Sequence, residues 1–484
     1  MYSTKFSVTI EPTLSEEMEN DFKKIKKHLG LMHTPSIELP EKIQHIIQLI
    51  LEGEDKKKLI EEAKALYNHI DRKKPPHEAS FLEARKADLM FKMIEKKNIN
   101  LEDLSDVDQD ALRGKLEKQA MKLMSRGTYK WKAIQFDKNL SYQYLISRAP
   151  FEYACLMRVF NEIKKRDQKF FPVTLFDFGS GVGTVSWAVH KFWGDSIKEY
   201  FTVDSSSAMN ELAHLIIHQG NVNKPPVLKT LYQREFLPVT PEKYDLVVSS
   251  FSFMEVGNTE TRLKTFLTLW NKVNRYMVLV ENGSNAGFRL LNEFREFLTH
   301  LSQTSKTKFH IFAPCPHEFQ CPRFYEETNK NTPCNFPVTY QIFKYLSHTG
   351  KSEDYEQKTF CYLVLKKGER PQSDPQWPRI VRPTMERKKH IHCELCTSQG
   401  KLEHLVFTKK KHGKLAYKIV DYSDWGDMIP GEFVSLKENN DNSEDQENQE
   451  MVENTQNEND CHEDQKIQDD SKEKEEGNSK KDKE

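Results

Sequence analysis

From Val173 onward the chain repeats one pattern that few folds can accommodate. VTLFDF, EYFTVD, KYDLVVSSFSF and RYMVLVEN are short apolar runs. Each precedes a segment with apolar residues at helical spacing: VSWAVHKFWG, AMNELAHLIIH, TRLKTFLTLWNKV and FRLLNEFREFLTHL. Four strand–helix alternations predict an α/β fold, a parallel sheet with right-handed crossovers. FCYLVLKK, near 360–367, reads as a late strand of the same sheet.

The first alternation carries a glycine loop, LFDFGSGVGT, between strand and helix. In that context Gly179, Gly181 and Gly183, with Ser180 between them, let the backbone approach a ligand and bring a helix N-terminus toward it. Asp204 ends the second strand, where it suits ribose hydroxyls. Nicotinamide and flavin enzymes use similar loops. Asp177, just before the glycines, makes D-F-G-S-G-V-G resemble motif I of class I S-adenosylmethionine (SAM) methyltransferases more than GxGxxG. The usual catalytic devices are missing. The stretch after the third of these strands reads VVSSFSFMEV, with no Asn/Asp-Pro-Pro-aromatic motif and no cysteine nucleophile. Glu255 and Asn282 are the candidates left for catalysis, and Glu255 reads equally well as a solvated loop acid.

Around this core the composition shifts. Residues 15–145 have helical periodicity, as in EKIQHIIQLILE and DALRGKLEKQAMKLMSR, punctuated by KKPP at 73–76. Residues 437–484 hold 18 acidic and 7 basic side chains, a net of −11. Against a whole-chain net of −1, this leaves +10 on residues 1–436. A basic body suits a polyanionic partner. The tail has too few apolar residues to offset its ordering entropy and reads as disordered. No window approaches the roughly 18 apolar residues of a membrane span. The first 20 residues show neither a secretory core nor an Arg-rich presequence.

Three of the eight cysteines crowd into APCPHEFQCPRFYEETNKNTPCNF: Cys315, Cys321 and Cys334. A tetrahedral zinc or an iron–sulfur cluster needs a fourth ligand, with Cys393, Cys396, His317 and His392 as candidates. Cys155 and Cys361 sit in apolar patterns and read as small buried hydrophobes. RKKHIHC and TKKKHGK, with Phe407, Tyr417 and Trp425 nearby, suit RNA phosphates and bases. HLVFT and LAYKIV flanking KKKHGK read as a hairpin.

Six blocks in order, between Asp137 and Pro430, resemble the mitochondrial methyltransferase-like family of small-ribosomal-subunit assembly factors. They are TLFDFGSGVGTVSWAVHKFWGDSIKEYFTVDSSSAM, REFLPVTPEKYDLVVSSFSFMEV, MVLVENGSNAGFRLL, FAPCPHEFQCP, HIHCELCTSQG and HGKLAYKIVDYSDWGD. The resemblance implies a matrix protein needed for mitochondrial translation. It would act as a monomer, contacting small-subunit rRNA and ribosomal proteins and no membrane. A SAM-binding fold with doubtful methyl transfer and a [4Fe–4S] cluster are implied too. The ligands carried over are Cys315, Cys321, Cys334 and, from its Leu-Cys-x-x-x-Gly context, Cys396, which leaves Cys393 a bystander. An active rRNA methyltransferase is the alternative, and a zinc-stabilised RNA-binding module a third. The expected organisation is a helical region (1–145), a class I SAM-methyltransferase, Rossmann-like core (146–312), a cysteine segment with a late core strand (313–380), a basic hairpin extension (381–436) and the acidic tail (437–484).

Overall fold

The computed structural model describes residues 6–20, 22–97, 99, 105–127, 129, 131–228, 230–304, 308–325, 332–343 and 355–435. The expected disordered tail lies outside these residues. Val8–Phe433 form one compact unit. The two chain ends form a second, in which only residues 6, 7, 434 and 435 are described. Strand β1 (Phe6–Ile10) pairs with the last strand, β14 (Gly431–Ser435).

The central sheet contains β2 (Thr174–Phe178), β3 (Glu199–Val203), β4 (Leu231–Arg234), β5 (Tyr244–Ser250), β6 (Val273–Asn282), β7 (Phe309–Ala313), β8 (Phe336–Gln341) and β9 (Tyr355–Lys367). Its order is β4-β3-β2-β5-β6-β9-β7, with β8 also paired to β9. The first five strands in that order are parallel; β9 runs antiparallel between β6 and β7. This is the strand order of class I methyltransferases, so the chain has that Rossmann-like fold. The chain leaves β2 toward β3 and β4, then returns to β5. That reversal opens a crevice at the strands' C-terminal ends, where open α/β sheets bind ligands.

Side-chain alternation builds two cores, one on each face of the sheet. Leu246, Val248, Val278, Val280, Tyr362 and Val364 join one cluster; Val247, Met277, Leu279, Cys361, Leu363 and Leu365 join the other. Burial on both faces explains why these strands read as continuous apolar runs. β4, LYQR, escapes the sequence pattern because it is a polar edge strand. β7 and β8 escape it because neither sits in a strand–helix repeat.

Two expectations need correction. The boundary at 145 falls inside the helix Lys138–Ser147, which is buried on the core and leads directly into Ala149–Arg166. The hairpin expected from HLVFT and LAYKIV around KKKHGK is not formed; a hairpin lies earlier. β12 (His390–Cys396) and β13 (Leu402–Phe407) form it, in a sheet with β10 (Arg379–Ile380) and β11 (Met385–Arg387). KKKHGKLAYKIV is instead helical, Lys409–Asp421. Thr408 caps it, and Gly413, at φ +81°, kinks it. Ala416, Ile419 and Val420 are its buried residues, a helical spacing that so short a run does not separate from alternation.

Asp427 joins the region near residue 30 to the C-terminal extension. Its buried carboxylate accepts from the backbone N–H groups of Met32 (2.6 Å), His33 (2.8 Å) and Asp424 (2.8 Å), and lies 2.7 Å from His33 Nδ1. Burial alone would raise the Asp427 carboxyl, but His33 and the N–H donors hold it below its ordinary value. The same hydrogen bond raises the half-exposed His33 against the effect of burial. The Asp427 contribution is therefore present above the ordinary carboxylate range, about pH 4, and is lost as pH falls through its lowered value. The His33 contribution is full below about 6.5 and fades as pH rises through its raised value. Limited proteolysis near residues 28–34 is expected to be slowest between these limits. Asp427→Asn is expected to cost about 1.5–3 kcal/mol, read from the denaturant midpoint.

Candidate functional site: a ligand cleft and a cysteine-lined cavity

The crevice at the switch point is a cleft of about 230 Å³ lined by Gly179, Gly181, Asp204, Phe251 and Glu255, among others. Gly179 has φ +70°, and a Cβ there would stand 2.2 Å from Ser252 Oγ, so both conformation and space require glycine. Gly183 N-caps the helix Thr184–Trp193. Asp204 braces the loop by accepting from Gly181 N–H at 2.8 Å and Ser206 N–H at 2.9 Å. Of the sequence candidates, Gly179, Gly181 and Asp204 line the cleft, while Asp177, Ser180 and Gly183 lie behind its lining.

The cleft and its floor carry acids and hydroxyls short of partners. Asp177 is fully buried and neither carboxylate oxygen has a hydrogen bond; Ser180 Oγ and Ser250 Oγ are likewise orphaned. Burial, reinforced by Asp204 and Glu152, pushes the Asp177 carboxyl well above its usual range. Burial raises Glu152 to about 7, against Arg148 and the Tyr144 and Thr184 hydroxyls. Burial also raises Asp204 above its ordinary value, despite its two N–H donors. Buried polar atoms are normally satisfied. A ligand with amine and hydroxyl groups, such as SAM, would supply partners for these orphaned oxygens.

The two candidate catalytic residues are already engaged. Glu255 pairs with Lys73, whose side chain is 1% exposed, and accepts from Ile134 N–H at 2.8 Å. Trp131 Nε1 donates to Met254 O at 3.1 Å, and the Lys73 ammonium lies over the Trp131 ring. Asn282 Oδ1 accepts from the buried Arg148 at 2.9 Å. The helical region thus supplies a wall of the cleft through Ile70 and residues 133–136. No sequence motif marks Lys73, Trp131 or Arg148, because their partners lie 123 to 182 positions away.

On another part of the core, Cys315, Cys321 and Cys334 line one small cavity with the buried Arg295 and with Cys361 from β9. Cys396, at the end of β12, lies with its Sγ 3.4 Å from His317 Nε2. Burial raises the Cys396 thiol well above normal, and Cys315, Cys321 and Cys334 raise it further as like charges. Burial alone raises Cys393, to about 12. Alternation along β12 explains the difference. Cys393 shares a face with the buried Ile391 and Leu395, whereas Cys396 shares one with Glu394, which pairs with Arg323 of the cysteine segment at 3.3 Å. His392 stands apart, against His404. Among the described residues there is no group of three or more His, Cys, Asp or Glu side chains placed to hold a metal ion.

Lys73→Ala removes the buried partner of Glu255. Faster proteolysis between residues 72 and 131 is expected, with a loss of about 1.5–3 kcal/mol, the scale of a hydrogen bond to a charged group. Unchanged cleavage would show that the helical wall is held by packing alone.

Comparison with known proteins follows this geometry. The family model described as "Mitochondrial small ribosomal subunit Rsm22" matches residues 138–430. The human "Ribosome assembly protein METTL17, mitochondrial" is 33% identical, over 84% of this chain and 85% of its own length. The fission-yeast (Schizosaccharomyces pombe) "Rsm22-cox11 tandem protein 2, mitochondrial" is 26% identical over 60% of this chain, which spans only 43% of that relative. Among solved structures, the plantazolicin methyltransferase BpumL with SAH is 14% identical, covering 47% of this chain and 88% of its own, at a TM-score of 0.30. A SAM-dependent methyltransferase from Methanococcus maripaludis is 15% identical, covering 50% and 99%, at a TM-score of 0.29. At such scores these structures carry no argument, and the strand order alone defines the fold. Family model and human relative both span most of the chain: it belongs to the Rsm22 family of the mitochondrial small ribosomal subunit.

Proposed function

We propose that this chain is an assembly factor for the mitochondrial small ribosomal subunit, working in the matrix as a monomer that binds rRNA and does not rely on methyl transfer. The observation that carries this reading is the state of the cleft. Gly179, Gly181 and Asp204 line it, while Glu255 and Asn282 are bonded to Lys73 and Arg148. The names of its relatives, a ribosome assembly protein and a small-subunit family, support the same role. SAM is the proposed ligand of Gly179, Gly181 and Asp204, with Asp177, Ser180 and Gly183 supporting the loop from behind.

The proposed rRNA contact is one end of the C-terminal sheet. Ile391 of β12 pairs with Phe407 of β13, so the turn holding Arg387, Lys388 and Lys389 lies at the same end as Lys409, Lys410 and Lys411. These six basic residues are exposed and far apart in sequence. Phosphate binding by such a cluster falls steeply with salt. Replacing Lys388, Lys389, Lys410 and Lys411 with alanine is expected to weaken small-subunit rRNA binding. The salt slope should fall by about one for each phosphate no longer neutralised. Full rRNA binding by this variant overturns the assignment. Methylation of that rRNA by purified protein, abolished by Gly179→Ala, would favour the enzymatic reading.

We also propose that Cys315, Cys321, Cys334 and Cys396 hold a [4Fe–4S] cluster beside Arg295. Cys315, Cys321 and Cys334 line one cavity with Arg295, and Cys396 ends the strand whose Glu394 pairs with Arg323 of the same segment. Four thiolates are the usual ligand set of such a cluster, which would supply cross-linking between core and extension. Anaerobically purified protein is expected to contain about four irons with acid-labile sulfide. Cys396→Ser should lose them and Cys393→Ser should keep them; stoichiometric zinc would sink the idea.

A further inference from the structure

Strand β12 alternates between a buried face and one that is open at its N-terminal end. Ile391, Cys393 and Leu395 are buried, and the positions between them are His390, His392 and Glu394. At the other end this second face is covered, since Cys396 is buried. Register adds neighbours to the open part. Met385 of β11 and Val406 of β13 stand opposite His392, Arg387 stands opposite His390, and His404 stands opposite Glu394. Directly opposed residues share a face. Three imidazoles therefore share this face with Met385 and Val406.

The rings are ordered. His390 and His392 have centroids 6.4 Å apart and planes inclined by 11°; His392 and His404 have centroids 5.3 Å apart and planes inclined by 21°. His392 Nδ1 lies 3.2 Å from His404 Nε2. With nitrogens that close and centroids that far apart, these two rings meet at their edges and do not cover each other's faces. His390 and His404 are exposed, and His392 is half-buried. Burial, His404, His390 and Arg387 all hold His392 below its ordinary value, so near neutral pH it is an uncharged ring. Phe407, an aromatic that the sequence offers for base contact, is buried and out of a ligand's reach.

Charge indicates the ligand. The row of rings begins beside Arg387, Lys388 and Lys389, at the sheet end that also carries Lys409, Lys410 and Lys411. Two runs of three cations with no acid among them attract a polyanion. Glu394, the acid on the open face, is paired with Arg323 at 3.3 Å. Phosphates alone have no use for rings. Uncharged aromatic faces next to a phosphate-binding edge suit nucleobases, which stack on them only when free of a duplex. We propose that the face formed by His390, His392, His404 and Met385 stacks unpaired bases of small-subunit rRNA whose phosphates the six basic residues hold. This rests on the rRNA contact proposed above and names what that contact takes, single-stranded and not paired RNA.

The test measures the full chain against a short single-stranded RNA of mixed sequence, the same strand annealed to its complement, and an abasic strand of equal length. The wild type is expected to bind the single strand most tightly. His390→Ser/His392→Ser/His404→Ser is expected to lose at least about tenfold in affinity for it, the scale of one stacked base. Its melting temperature should stay unchanged. So should its affinity for the abasic strand and its salt slope, because no phosphate contact is removed. His390→Tyr/His404→Tyr, which keeps aromatic rings, should bind the single strand at least as well as the wild type. Unaltered single-strand binding by the serine variant overturns the proposal, as do an equal loss on the abasic strand, a reduced salt slope, weakened binding by the tyrosine variant or a preference for the duplex. If the wild type binds none of the three RNAs, the rRNA contact fails and the stacking face with it. If the wild type binds and only the lysine substitutions above weaken it, the rRNA contact stands and the stacking face alone falls.

Discussion

The arrangement of this molecule depends on one buried guanidinium. Arg379 is 1% exposed and bonds four separate parts of the chain. It donates to Glu162 on a core helix (2.5 Å), to Tyr362 on β9 (3.3 Å), to Pro314 O in the cysteine segment (2.6 Å) and to Gly426 O in the C-terminal extension (2.8 Å). Burial would raise the Glu162 carboxyl, but Arg379 and Arg166 outweigh it and hold it below its usual range. A buried charge without its partner costs several kcal/mol, so these four segments are energetically obliged to meet. The cysteine cavity and the basic end of the extension inherit their positions from that node.

The ligand cleft follows a different logic. Its loop geometry comes from local rules: a glycine where φ is positive and Ser252 is close, and an aspartate placed to receive two backbone N–H groups. Its outer wall comes from about 40 to 100 residues upstream of the loop, fastened by the Lys73–Glu255 pair and Trp131. An acid that sequence position offers as a base is thereby held as a structural partner.

Much of the fold is legible in the sequence because burial on both sheet faces writes itself as apolar runs. β4 is not, since an edge strand needs no apolar face. The helix Lys409–Asp421 reads as a strand because its Leu-Ala-Tyr-Lys-Ile-Val run fits either period over six residues. Among candidate site residues, Gly179, Gly181 and Asp204 can be named because glycine loops carry a local signature. Arg148 cannot, since its bond to Asn282 spans 134 positions.

The sequence by itself determined the α/β core, its glycine loop, the crowding of three cysteines and the split between a basic body and an acidic tail. Each of these is a property of short stretches, where spacing and residue type suffice. Only the tertiary structure decided that Cys393 and Cys396 lie on opposite faces of β12, since an odd number of steps along a strand reverses the face. It also decided that two basic segments share one end of a sheet, through the β12–β13 register. Those outcomes depend on which surfaces meet after the chain has folded, and no local pattern records that.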